Sequence, residues 1–219
     1  MDLSNFYVGK DRAPLSLVLG DFTLSEANLW PLDLGKMSIP SGAVGVADPL
    51  WINNYFLSFD TPKIEGKVVI TLADLSQNQD KSHIREAYFS LLFSNETPSK
   101  ILAAMPNGDF EELEEDYSYT VPVDTCVLSF FDRDSMTKYL DAHGQIEVAE
   151  QGVYEWMNKV DHDGEHPAGA AVVYYNEGED RSKLFITHSG WGDGFYPILK
   201  TVDSEGNMLG LHVDFQVLG

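Results

Sequence analysis

The chain has 219 residues, with 14 lysines and arginines against 35 aspartates and glutamates, a formal net charge of −21. Hydrophobic residues form 43% of it and aromatics 12%, enough for a packed core and too many for a disordered tail. One cysteine, Cys126, excludes a disulfide scaffold, and the absence of a long apolar run or a basic-then-apolar amino terminus predicts a soluble, cytoplasmic protein.

Elements are sparse before residue 40, which reads as an extension to one domain spanning residues 1–219. LSLVLG near residues 16–20 suggests a short strand or helical turn, and SEANLW a helical turn opening at Ser25. SGAVGVADPLW interleaves apolar residues with glycines and stops at Asp48-Pro49, as a strand entering a turn does. In IEGKVVITLADLS, Val68, Ile70 and Leu72 alternate with Val69 and Thr71, the period of a half-buried strand. Two strands, 85–94 and 99–105, are read on either side of the turn-forming SNETPS. VPVDTCVLSFF reads as one buried strand. DRDSMTKYLDAHG follows as a helix capped by Asp132 or Asp134 and stopped by Gly144. EVAEQGVYEWMNKVDH is a second helix, with Val153, Trp156, Met157 and Val160 on its core face. Four strands complete the pattern, the last two joined by a hairpin at Ser204-Glu205-Gly206-Asn207. The predicted class is α+β, β-dominated, with mostly antiparallel strands and two helices inserted before the last four.

The charge is uneven: residues 101–150 hold 2 basic and 12 acidic side chains, nearly half of the net total. Glu111, Glu112, Glu114, Glu115 and Asp116 form its densest run and are the expected face for a basic partner. Such a field repels phosphate backbones and anionic membranes, and attracts a basic protein partner by steering. Neither nucleic acid nor membrane is expected as a partner, and no cofactor signature is read.

The string HSGWGDGFYP and the later HVDF are the most distinctive in the chain. With SGAVGVADP and VDTCVLSFFD, they resemble the bacterial domain family of unknown function four-two-four-one. The resemblance rests on Ser41, Gly42, Asp48 and Pro49; on Val123, Asp124 and Asp132; on Ser189, Gly190, Gly192, Asp193, Gly194 and Tyr196; and on Asp214 with Phe215. It runs from about residue 40 onward and implies strand hairpins, an Asp-started helix and a final strand. The family carries no established activity. Where its mid-chain segment tends to hold glycine, this sequence has Cys126.

His188, Ser189 and Asp193 put an imidazole, a hydroxyl and a carboxylate in one short segment. Neighbours on a strand point to opposite faces, and no nucleophile-elbow pattern surrounds the serine, so a catalytic triad is not expected. Gly190, Gly192 and Gly194 allow close approach of a ligand, and Trp191 offers a stacking face; the same glycines make a tight turn without one. Asp48, Asp124, Asp193 and Asp214 sit at strand ends, where each either caps a turn or joins a pair. His162 and His166, with three carboxylates around them, form a weak metal candidate, because Gly164 and Pro167 break the helix that would align them.

Two functions follow. The first is a non-enzymatic acidic binding protein, an immunity-type inhibitor of a basic partner. The alternative is a hydrolase or small-ligand enzyme with Ser189, Asp193, Asp124 and Asp48 in one pocket.

Overall fold

A computed structural model describes residues 29–53, 55–111, 118–143, 145–162, 169–175 and 181–218, without side chains for 145–153. Its strands are β1 (Leu29–Ser38), β2 (Ala43–Ala47), β3 (Leu57–Asp60), β4 (Glu65–Asp74), β5 (Ile84–Leu92), β6 (Lys100–Ala103), β7 (Thr120–Val123), β8 (Val127–Asp132), β9 (Ala170–Tyr174), β10 (Lys183–His188), β11 (Gly194–Val202) and β12 (Met208–Asp214). Helices α1 (Arg133–His143) and α2 (Gln145–His162) fall between β8 and β9, and a short 3-10 turn spans Pro49–Trp51. The class is α+β and β-dominated, with antiparallel pairing throughout the described strands.

Two sheets result. One has the order β1-β4-β5-β12-β11-β6, with β7 also pairing β11; the other has the order β3-β2-β8-β10-β9. The second sheet is buried on both faces, which explains why its strands read as continuous apolar runs. In β8, Leu128 and Phe130 enter the core between the sheets, while Val127 and Phe131 face the other way, into a core shared with the helices. Phe130 stacks on Phe89 of the first sheet, with ring centroids 4.1 Å apart and planes at 7°. On the opposite face Phe131 joins Met136 and Leu140 of α1, Trp156 and Val160 of α2, and Leu184 and Ile186 of β10. The layers are therefore sheet, sheet, helices.

Local chemistry sets the boundaries. Asp132 ends β8 and starts α1: its Oδ1 accepts the Ser135 amide at 2.9 Å, while Oδ2 accepts the Ser41 hydroxyl at 2.6 Å. Asp132 is thus the cap, and Asp134 instead pairs with Arg133 at 2.7 Å. In the β11–β12 turn, Asp203 Oδ1 accepts the amides of Glu205 and Asn207, both at 2.8 Å, as the hairpin reading requires.

Three expectations need correction. Residues 121–131 form two strands, broken at Asp124–Cys126, because the chain changes sheets there: β7 pairs β11 and β8 pairs β2 and β10. The strands flanking SNETPS are present as β5 and β6 but do not pair with each other; β5 lies between β4 and β12, and β6 lies on β11. Residues 29–30, read as part of a helical turn, begin β1 instead. Ser25, the 16–20 segment and Gly144 lie outside the described residues.

Candidate functional site

The SGWGDG segment carries the chain from β10 in one sheet to β11 in the other, across the end of the sandwich. Gly190 and Gly192 take φ of +63° and +100°, a backbone that favours glycine. Gly190 has a second constraint: a Cβ there would meet the Glu86 carbonyl oxygen at 2.6 Å and Val217 Cγ2 at 2.7 Å. Ser189 is fully buried and donates its hydroxyl to the Gly192 carbonyl at 2.6 Å, which also accepts from Tyr196 at 2.7 Å. The serine closes the turn and presents no nucleophile. His188 faces elsewhere, with Nε2 3.0 Å from Asp161 Oδ1 at the end of α2.

Asp48 sits beside this loop, 1% exposed. Its Oδ1 accepts the Leu50 amide at 2.9 Å and the Thr125 hydroxyl at 2.8 Å; its Oδ2 accepts the amides of Asp124 and Thr125, both at 2.8 Å. All of its acceptor sites are taken by a clamp on the crossover between β7 and β8. Asp193 performs a lighter version of the same task, with Oδ1 3.2 Å from the Cys126 amide and 3.3 Å from its Sγ. Cys126 itself has φ +59°, the left-handed region, which accounts for a glycine preference at this point. Desolvation first, and the Asp193 carboxylate second, raise the Cys126 thiol above its ordinary pKa, so it is no ready thiolate.

The expected binding residues therefore gather at one end of the molecule, in unequal roles. Asp48, Ser189 and the glycines shape the crossovers. Asp124 and Asp193 are exposed and line a hollow of about 610 Å³ with Trp51, Tyr55, Val123 and Phe195. Three of those rings are open to solvent: Trp51 at 39%, Tyr55 at 45% and Phe195 at 71% exposure. The sequence reading missed them, although Trp51 follows Asp48-Pro49 by two residues and Phe195 continues the glycine-rich string. Trp191 stands apart from the hollow, exposed, with Arg85 5.7 Å from its ring centroid and His83 edge-on at 6.1 Å.

A buried carboxyl, Glu86, and a half-buried one, Asp214, lie behind the loop. Burial raises Glu86 to about 7, opposed by backbone donors that include Gly190 and by Arg85. Burial likewise raises Asp214 to about 6 against a hydrogen bond from Gln216. A serine–histidine contact exists within the first sheet, where His212 Nδ1 lies 3.0 Å from Ser90 Oγ and Nε2 3.0 Å from Thr201 Oγ1. All three side chains are fully buried, and burial lowers His212 to about 3, so this is a neutral, structural chain.

Glu111 is exposed, whereas Glu112, Glu114, Glu115 and Asp116 lie outside the described residues. His162 is tied through Nδ1 to the Asn158 carbonyl at 3.0 Å, and His166 lies outside the described residues. Among the described residues no group of three His, Cys, Asp or Glu side chains is placed to hold a metal ion, and no helix is long and apolar enough to cross a membrane.

Residues 37–213 match the model of a family described as "Protein of unknown function (DUF4241)". No curated protein and no solved structure matches the chain.

Proposed function

The chain belongs to the DUF4241 family, which brings no assigned chemistry, and from the aromatic hollow at the sandwich end we propose that it is a non-enzymatic recognition protein for a basic protein partner. In the fuller form of this reading it is an immunity-type inhibitor acting in the bacterial cytoplasm. The observation that carries the reading is the combination of exposed Trp51, Tyr55 and Phe195 with the Asp124 and Asp193 carboxylates around one cavity. An arginine or lysine side chain suits that lining: its methylenes cover apolar surface, its charge meets the rings face-on, and the carboxylates complete the contact. Such cation–π contacts contribute about 0.5–2 kcal/mol each, and tryptophan and tyrosine are frequent anchors of protein interfaces. The net charge of −21 supplies long-range attraction to a basic surface.

The test is binding of the purified chain to a panel of basic toxin domains at low and moderate salt, with Trp51→Ala and Asp124→Asn variants. The expected result is at least one partner whose affinity falls about tenfold or more with salt and with either substitution. Binding that is indifferent to salt and to both variants, or no binding across the panel, rejects the proposal.

A further inference from the structure

On a molecule dominated by carboxylates, one groove inverts the ratio. It is bounded by the end of β1, the exposed side of α1 and the approach to β10, and encloses about 910 Å³. Lys36, Lys138, Arg181 and Lys183 line it, and Glu65 is the one carboxylate among its described lining residues. Among the described lining residues the proportion of basic to acidic side chains is four to one. Ser135, Tyr139 and Ser182 share the lining.

Several of these groups are held in place. Lys183 Nζ donates to the Lys36 carbonyl at 3.2 Å and lies 5.9 Å from the Tyr174 ring centroid, with the Arg181 guanidinium 5.6 Å from the same ring. Lys36 Nζ pairs with Glu65 at 2.7 Å. His143 Nδ1 contacts the Tyr139 carbonyl at 2.8 Å. A second hollow adjoins through Lys36 and Glu65 and adds Lys63, which donates to the Phe93 carbonyl at 2.7 Å, and Lys67, which pairs with Asp33 at 3.0 Å.

We propose that this groove binds a small phosphorylated ligand, a phosphomonoester or nucleotide, separately from the acidic hollow at the sandwich end. Ammonium and guanidinium groups lining one groove match the several oxygens and multiple charge of a phosphate. The volume lies within the roughly 300–1,000 Å³ of small-molecule sites. A nucleic acid is the poorer occupant, because its extended charge would have to lie along the surrounding acidic surface, whereas a compact anion meets only the local field.

The experiment is calorimetric titration and thermal unfolding of the full chain with inorganic phosphate, pyrophosphate and AMP, with ionic strength held constant by sodium chloride. Saturable pyrophosphate or AMP binding with Kd below about 1 mM is expected, together with a matching rise in Tm. A Lys138→Glu/Arg181→Glu variant should lose at least about tenfold in affinity, while Lys100→Glu/Lys159→Glu, outside the groove, should not. Should the first variant fold poorly, Lys138→Ala/Arg181→Ala serves the same comparison. Absence of binding to any of the three anions overturns the proposal. So does binding unchanged in the groove variant, or stabilisation equalled by sodium chloride alone, which would reflect screening of the net charge.

Discussion

Removing the Asp48 carboxylate separates a structural clamp from a reactive acid. Asp48→Ala deletes four charge-assisted hydrogen bonds, with Leu50, Asp124 and Thr125 as donors, at a residue 1% exposed. Bonds to charged groups contribute about 1.5–3 kcal/mol each, but they share one acceptor group and do not add; the main loss is the desolvation of amides left unpartnered. A destabilisation of about 3–5 kcal/mol follows, and about half of that for Asp48→Asn, whose carbonyl oxygen keeps one pair of donors. With a urea m-value near 2–3 kcal/mol/M, the alanine variant should unfold at about 1–2 M lower denaturant. Equilibrium urea titration followed by tryptophan fluorescence and circular dichroism measures this. An alanine variant within about 1 kcal/mol of the parent would refute the clamp, and would return Asp48 to consideration as an acid available for chemistry.

Gly190→Ala combines φ +63° with contacts at 2.6 and 2.7 Å and should cost more than about 2 kcal/mol, whereas Gly206→Ala, at φ +88° with nothing within 4 Å, should cost about 1 kcal/mol, both read by chemical denaturation. Cys126→Gly relieves a left-handed backbone and should stabilise by up to about 1 kcal/mol, a gain that a strong Sγ–Asp193 contact would abolish. Glu86 is raised from 4.5 to about 7, so the unfolded chain gives up its proton first and stability falls as pH rises between those values. Glu86→Gln should remove that slope, matching the parent near pH 4 and exceeding it by up to about 3 kcal/mol above pH 7, at about 1.36 kcal/mol per unit. Asp214 acts in the same direction and His212 in the opposite one; both remain in the variant, so the difference between the two pH profiles reports Glu86.

Sequence reading recovered the elements whose signals are local. The two-residue period of β4 and the Asp203-to-Asn207 turn need only neighbouring residues, and Asp132 announces α1 from the position before it. Elements defined by distant partners were missed. β1 contains Pro31 and Gly35 and shifts register between Asp33 and Gly35, features an edge strand tolerates and a sequence pattern reads as a break. The Asp124–Cys126 break lies in an apolar run because both flanking strands are buried, in different sheets. At the site, the loop glycines and aspartates were legible as turn-formers. That Asp48 serves amides 76 and 77 residues away was not, nor was the placing of Trp51 and Phe195 around one hollow.

The position of β12 has a consequence for biosynthesis. It is the seam of the larger sheet, with β5 on one side and β11 on the other. Without residues 208–214, the ribbon of β1, β4 and β5 and the ribbon of β6, β7 and β11 share no ladder among the described residues. Their facing edges offer unsatisfied backbone groups to any neighbouring chain. A nascent polypeptide stalled just before this strand should engage chaperones and aggregate, and native protection of β5 from hydrogen exchange should arise only once the seam is sealed.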